Sequence, residues 1–187
     1  MLQTMNPNKA LWEKGDFTRI AASMRGSGEA LVNSLGVRPG MKVLDLGCGD
    51  GTTALPEAQL GADVLGVDIA RNLVEAARQR AAAEKLSNLR FEEGDATNLE
   101  GLADKSFDLV VSIFGAMFAP RPFDVAKEMV RVTKPGGRVV MSPSAIHARV
   151  SFPRIRGGGN ARAGSRNRSS PLTCIGDSEP TFSSDLR

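Results

Sequence analysis

The chain has 187 residues, enough for one domain with a buried core. It carries 24 Lys and Arg against 21 Asp and Glu, but seven of the arginines lie after residue 141. Residues 1–141 are therefore close to neutral and give no reason to expect a nucleic-acid partner. No apolar run approaches the roughly 18 residues of a membrane span, and the N-terminus lacks a signal-peptide pattern. The two distant cysteines, Cys48 and Cys174, argue against a disulfide framework and predict a cytoplasmic protein.

Residues 1–40 are predicted to form an N-terminal helical cover. Four apolar residues recur at the spacing of one helical face: Ile20, Met24, Leu31 and Leu35. The stretch Gly26-Ser27-Gly28 is expected to weaken or break this helix, because each glycine costs about 1 kcal/mol relative to alanine. Pro39 and Gly40 end the segment.

From residue 41 onward, short apolar strands alternate with helical segments. The predicted strands span residues 42–46, 63–68, 89–93, 107–112 and 138–141. The predicted helices span residues 52–60, 71–85 and 122–132. This alternation predicts an α/β fold, a doubly wound and mostly parallel sheet with helices on both faces, in three α/β/α layers.

The segment that most strongly suggests a ligand site is Val43–Gly51. Here a predicted buried strand with an acid near its end leads into three glycines at alternate positions. Glycines let the backbone pass close to a ligand, and the helix that follows presents free N–H groups. Asp68 ends the next strand, 21 positions beyond Gly47, which is the spacing of a carboxylate that binds ribose hydroxyls. These features predict a nucleotide-type site at the carboxyl ends of the strands.

The sequence resembles the class I S-adenosylmethionine-dependent methyltransferases, of the small-molecule type, over residues 10–142. Five segments match that family's layout in order: Val43–Gly51, Gly66–Ile69, Glu93–Ala96, Phe107–Ser112 and Arg131–Gly137. The resemblance implies a Rossmann-like sheet over residues 41–142 and S-adenosyl-L-methionine as the cofactor. It also implies a small-molecule methyl acceptor, with no specific nucleic acid and no membrane as partner.

The resemblance also implies which residues bind the cofactor. Gly47, Gly49 and Gly51 are expected along its methionine part, with Asp45 and Asp50 beside its ammonium and sulfonium. Asp68 is expected on the ribose, with Ile69 and Asp95 on the adenine. The other residues expected at this site are Cys48, Ala96 and Ser112.

Several of these residues also allow a purely structural interpretation. The structural alternative for Asp68 is a helix N-cap, and the structural alternative for Asp95 is a turn residue. Cys48 is interpreted as a small packed residue rather than a nucleophile. Three apolar residues follow the fourth strand and either line the acceptor pocket or cover the core: Phe114, Met117 and Phe118. No residue is assigned as a general base, and the oligomeric state is not predicted.

Three other functions were weighed. A nicotinamide-dependent oxidoreductase requires Gly-x-Gly-x-x-Gly, whereas Thr52 occupies the last position of that pattern here. A nucleic-acid methyltransferase is disfavoured because Ser112–Gly115 does not match the Asn/Asp-Pro-Pro-aromatic motif common in such enzymes. A cofactor-binding protein with little or no turnover is the third alternative.

Residues 143–187 are rich in Arg, Ser and Gly and are predicted to be disordered, so His147 is not expected to act in catalysis. Members of the family usually continue with a helix and two further strands, which nothing in this tail resembles. We expect the sheet to lack those two strands, with low stability and with weak or absent turnover. A reading-frame change near residue 142 is one hypothesis for the abrupt change in composition. A natural extension is the other.

Overall fold

The computed structural model describes residues 6, 8–15 and 17–142. Its strands are β1 (Lys42–Leu46), β2 (Asp63–Asp68), β3 (Leu89–Glu93), β4 (Phe107–Ile113) and β5 (Thr133–Ser142). Its helices are α1 (Lys9–Lys14), α2 (Phe17–Ser34), α3 (Ala54–Gln59), α4 (Arg71–Ala83) and α5 (Pro122–Val132), with a 3-10 turn at Ala116–Phe118. In this described part, no helix is both long and apolar enough to cross a membrane.

The five strands form one sheet in the order β3-β2-β1-β4-β5, and every neighbouring pair is parallel. The predicted Rossmann-like α/β fold is thereby confirmed, and the predicted positions of the first four strands agree closely with those observed. Because all strands run the same way, their carboxyl ends meet at one edge of the sheet, where ligands bind in such folds. The predicted disordered tail and the expected lack of two further strands fall outside the described residues.

Alternation along the strands divides the core into two layers, one on each face of the sheet. In β1, Val43 packs on the face covered by α2, α3 and α4, whereas Leu44 and Leu46 pack on the face covered by α5. Val125 and Met129 of α5 are fully buried against the second face. Strands buried on both faces explain why the sequence shows continuous apolar runs rather than polar alternation.

Helix α2 differs from the prediction, because it continues unbroken through Gly26-Ser27-Gly28. At Gly28 the absent side chain allows close contact, since a Cβ there would lie 2.8 Å from Thr52 Cγ2 and 2.9 Å from Thr52 O. Tertiary packing therefore outweighs low helix propensity at this position. The predicted apolar face is also divided, because Leu31 is in the core whereas Ile20 remains 55% exposed.

Strand β5 begins earlier than predicted and includes the expected turn at Pro135–Gly137. Thr133 pairs with Phe107, but the next pairing joins Arg138 to Leu109, so the register shifts between them. Several β5 residues therefore bulge out opposite a single β4 residue, and Gly136 takes a φ of 82°. Pro135–Gly137 forms a bulge within β5, and not the predicted turn that precedes the strand.

Two carboxyl groups are fully buried between β1 and α3. Asp45 is 0% exposed, and its Oδ2 accepts a hydrogen bond of 2.5 Å from the Thr53 hydroxyl. Burial raises the pKa of Asp45 to about 7. The hydrogen bond from Thr53 opposes this rise, and the charge of Asp68 adds to it. Glu57 is equally buried, and neither of its oxygens has a hydrogen-bond partner among the described residues. Burial raises the pKa of Glu57 well above its usual range, and the charge of Asp45 adds to the rise.

Gly28 and Gly26 provide a matched pair of substitutions within α2. Gly28→Ala places a methyl group against Thr52, and we expect it to lower the free energy of unfolding by about 1–3 kcal/mol. Gly26→Ala meets nothing within 4 Å and is expected to raise that free energy by up to about 1 kcal/mol through helix propensity. Urea denaturation measures both changes. Equal stability of the two variants would contradict the proposed contact.

Asp45 generates a prediction about pH. Its pKa is about 7 in the folded chain against 3.8 as the ordinary value, so between these pH values the folded state holds a proton that the unfolded state has released. The free energy of unfolding therefore falls as pH rises through this window. Asp45→Asn is expected to shrink the loss of stability between about pH 5 and about pH 8. Denaturation curves at both pH values test this, and an unchanged loss would refute it.

Candidate functional site

A cavity of about 410 Å³ lies at the carboxyl ends of the strands, beneath the N-terminal helices. Of the eleven residues predicted to bind the cofactor, eight line it: Gly47, Cys48, Gly49, Asp50, Asp68, Ile69, Asp95 and Ala96. Three do not line it: Asp45, Gly51 and Ser112. Most of the predicted residues are therefore brought together around one cavity, and their role in binding a cofactor stays a prediction.

The three glycines of the loop after β1 all have positive φ, but for different reasons. Gly47 contacts the backbone of Gly115, since a Cβ on Gly47 would lie 2.6 Å from the Gly115 Cα. Gly51 is packed into the core, where a Cβ would overlap Leu55. At Gly49 a Cβ would meet nothing within 4 Å. Of the three, Gly49 alone lines the cavity with open space beside it, so a ligand can approach its backbone closely.

Asp68, at the end of β2, connects the glycine loop to α4. Its Oδ2 accepts a hydrogen bond of 2.8 Å from the Gly49 N–H, and its Oδ1 accepts one of 2.9 Å from the Ala70 N–H. Burial raises the pKa of Asp68, although these backbone hydrogen bonds oppose the rise. The cap of α4 is Ala70, so Asp68 is not its N-cap. Each oxygen keeps a further lone pair with which to accept from a ligand.

Asp95, after β3, is half-buried and already well provided with donors. Its Oδ1 accepts from the Thr97 N–H and hydroxyl at 2.9 and 2.8 Å, which is the local geometry of a turn. Its Oδ2 accepts from the Asn6 side-chain amide at 3.0 Å. Burial alone would raise the pKa of Asp95, but hydrogen bonds from Thr97 and Asn6 hold it below its usual value. Asp95 is therefore a turn residue and also part of the cavity wall.

Asp50 is 1% exposed, and two arginines approach its carboxylate. Arg25 of α2 lies 3.0 Å from Oδ2, and Arg80 of α4 lies 3.2 Å from Oδ1. Arg80 also donates to the Asp50 carbonyl oxygen at 2.7 Å. Because its charge is balanced from two sides, Asp50 joins the loop to both helices and has little charge left for a cationic ligand.

Cys48 and Ser112 occupy structural positions. Cys48 is 4% exposed, and burial raises the pKa of its thiol well above the ordinary range, with Asp68 adding to the rise. A thiol held in its protonated form is a poor nucleophile, which agrees with the interpretation of Cys48 as a packed residue. The Ser112 hydroxyl donates to the Leu46 carbonyl oxygen at 2.6 Å and accepts from the Ala116 N–H at 2.8 Å. Ser112 therefore fastens the turn after β4 to the end of β1.

The turn after β4 forms a second wall of the cavity. Phe114 has a φ of 61°, a conformation that a bulky side chain rarely adopts and that is typical of functional turns. Phe114 lines the cavity and also packs against the core. Phe118 lines the cavity as well, whereas Met117 is 48% exposed and does not line it. Two of the three residues with an open assignment therefore belong to the pocket wall.

The contribution of the first helix was missed from the sequence. Asn6 binds Asp95, and the Asn8 amide donates to the Phe118 carbonyl oxygen at 2.8 Å. Lys9 pairs with Glu93, so this segment crosses the mouth of the cavity from β3 to the turn after β4. These contacts join residues far apart in the chain, and no local pattern in the first fourteen residues indicates them.

Three comparisons bear on the identity of the chain. A family model described as a methyltransferase domain matches residues 44–141. An uncharacterized protein of Mycobacterium bovis is 39% identical over 71% of this chain and 48% of its own length. A demethylmenaquinone methyltransferase of Paenarthrobacter aurescens is 39% identical over 60% of this chain and 42% of its own length.

A solved structure agrees with these sequence matches. The crystal structure of an arsenic(III) S-adenosylmethionine methyltransferase from Chlamydomonas reinhardtii is 36% identical, with a TM-score of 0.53 over 57% of this chain and 39% of that one. The chain spans about half the length of the curated relatives it matches. Because the methyltransferase-domain model matches the segment that contains the glycine loop, this loop is better described by that family than by the nicotinamide-binding pattern. The chain belongs to the methyltransferase-domain family of S-adenosylmethionine-dependent methyltransferases.

Proposed function

We propose that this chain binds S-adenosyl-L-methionine in the cavity and transfers its methyl group to a small-molecule acceptor. The observation that carries the proposal is the division of the cavity. Asp68 at the end of β2 and Asp95 after β3 lie on one side, whereas the turn after β4 supplies an apolar wall. One side thus suits a polar nucleoside with a cationic substituent, and the other suits a separate acceptor.

The residues present fit the cofactor. Gly49 has open space beside it where any side chain would project, so the methionine part can lie along this backbone. Asp68 keeps lone pairs for the two ribose hydroxyls. Asp95 and Ala96 line the position proposed for adenine, with Ile69 against the ring. Asn6 already uses one Asp95 oxygen, so the adenine amino group shares that carboxylate with the N-terminal segment.

When bound, S-adenosylmethionine would supply a methyl group on positively charged sulfur, which an acceptor electron pair would take while the electron pair of the carbon–sulfur bond stays on sulfur. The chain's own contribution is to hold the acceptor in line and to exclude water, which is worth roughly 7–11 kcal/mol in favourable cases. The backbone contact between Gly47 and Gly115 fixes the two walls relative to one another. No described residue is needed as a base if the acceptor reaches the site without a proton to lose.

Binding without turnover is the second candidate. It predicts that the cofactor and its demethylated product stabilise the chain while no acceptor is methylated. A methyl-transfer assay run beside the binding measurement separates the two functions. A cytoplasmic location, the lack of a specific nucleic-acid partner and the division into a cover (1–40), a core (41–142) and a tail (143–187) stay predictions.

Asp68→Asn tests the proposed cofactor site. An amide offers one acceptor oxygen in place of two, so it cannot serve Gly49, Ala70 and a ribose together. We expect binding of S-adenosylhomocysteine to weaken about tenfold to a hundredfold, as for the loss of a hydrogen bond to a charged group. Isothermal titration calorimetry measures the change.

The matched control is Asp63→Asn, at the opposite end of the same strand. Asp63 does not line the cavity and its side chain is 48% exposed, so binding is expected to stay unchanged. Unaltered binding by the Asp68 variant would remove Asp68 from the site. Stabilisation of the unaltered chain by NAD but not by S-adenosylhomocysteine would overturn the proposed function.

A further inference from the structure

Three aromatic rings from separate elements meet at the cavity. The Trp12 ring of α1 lies 4.8 Å from the Phe17 ring of α2 and 5.2 Å from the Phe118 ring after β4, measured between centroids. The Trp12 and Phe17 planes are tilted by 55°, whereas Trp12 and Phe118 meet edge to face at 64°. All three side chains line the cavity, and we call them the aromatic wall.

The aromatic wall and its neighbour keep apolar surface accessible. Phe118 is 47% exposed and Ile20, which also lines the cavity, is 55% exposed. Large apolar side chains grouped at a cavity favour a ligand that removes them from water. The accessible surface here therefore matches an apolar ligand rather than a strongly hydrated one.

The charges of the lining residues restrict the class of ligand further. The described residues that line the cavity include three acids, Asp50, Asp68 and Asp95, and no Lys, Arg or His. Arg25 and Arg80 approach Asp50 but do not line the cavity themselves. An anionic acceptor would lose its hydration without gaining a cation from the lining residues, so the site disfavours it.

The aromatic wall also offers few polar groups to orient a ligand. The Asn8 amide, which also lines the cavity, already donates to the Phe118 carbonyl oxygen. The sheet order places β4 on one side of β1, whereas β2 and β3, which carry Asp68 and lead to Asp95, lie on the other. Contact with ring faces and edges therefore remains as the means of recognition on the β4 side.

We propose that the methyl acceptor is an uncharged molecule with a planar aromatic ring, held against Trp12, Phe17 and Phe118. This inference rests on the proposed function, because it assigns the β4 side of the cavity to the acceptor. The cofactor occupies the side formed by the glycine loop, Asp68 and Asp95.

The chain provides its own probe for the test. Trp12 is the single tryptophan and the chain has no tyrosine, so tryptophan emission reports on the aromatic wall alone. The protein, saturated with S-adenosylhomocysteine, is titrated with p-cresol, with 4-methylbenzoate and with 4-methylcyclohexanol. The second probe adds a charge to the same ring, and the third keeps the hydroxyl but removes the aromaticity.

We expect p-cresol to change the Trp12 emission and to bind at least about tenfold more tightly than 4-methylbenzoate, because burying an unpaired charge is costly. We also expect it to bind about two- to tenfold more tightly than 4-methylcyclohexanol, as for the loss of an aromatic pair. Phe118→Leu keeps an apolar side chain but removes one ring of the aromatic wall. We expect it to weaken the binding of p-cresol by a similar factor.

The matched control is Phe123→Leu on α5, whose side chain is 80% exposed and does not line the cavity. It is expected to leave p-cresol binding unchanged. Tighter binding of 4-methylbenzoate, or p-cresol binding that Phe118→Leu leaves intact, overturns the aromatic acceptor. Failure of S-adenosylhomocysteine to bind at the outset overturns the proposed function instead, so the two failures are distinguishable.

Discussion

The site depends on one close backbone contact, between Gly47 at the end of β1 and Gly115 after β4. A Cβ on Gly47 would lie 2.6 Å from the Gly115 Cα, and one on Gly115 would lie 2.7 Å from the Leu46 carbonyl oxygen. The Ser112 hydroxyl holds the same junction by bonding to both β1 and the following turn. This contact fixes the turn after β4, which carries Phe118, relative to the glycine loop, and Phe114, with its φ of 61°, directly precedes Gly115.

Two carboxylates then fix the glycine loop in different ways. Asp68 holds it through backbone N–H groups, at Gly49 and Ala70, and keeps lone pairs toward the cavity. Asp50 holds it through Arg25 and Arg80 and faces helices rather than ligand. Acids that are similar in the sequence therefore divide into one that is available for binding and one whose charge is already balanced.

Much of the fold and part of the cavity lining follow from local sequence. Short apolar strands and a glycine turn with a carboxylate 21 positions later are local patterns, and they predicted a site at the sheet edge where the cavity lies. The helix predicted to be weakened or broken at Gly26–Gly28 is not broken, because close packing against Thr52, distant in sequence, requires a residue without a side chain at Gly28. The contacts of Asn6 and Trp12 were missed for the same reason, since their partners, Asp95 and Phe118, are about a hundred positions away.

The double pairing of Asp50 has a consequence for the order of assembly. Arg25 belongs to the N-terminal cover and Arg80 to the helix between β2 and β3, so the carboxylate is balanced only after both helices have packed on the sheet. Before that point, burying Asp50 leaves a charge without a partner. The position of the glycine loop in the folded chain therefore depends on the tertiary packing of both helices, and not on the residues of the loop alone.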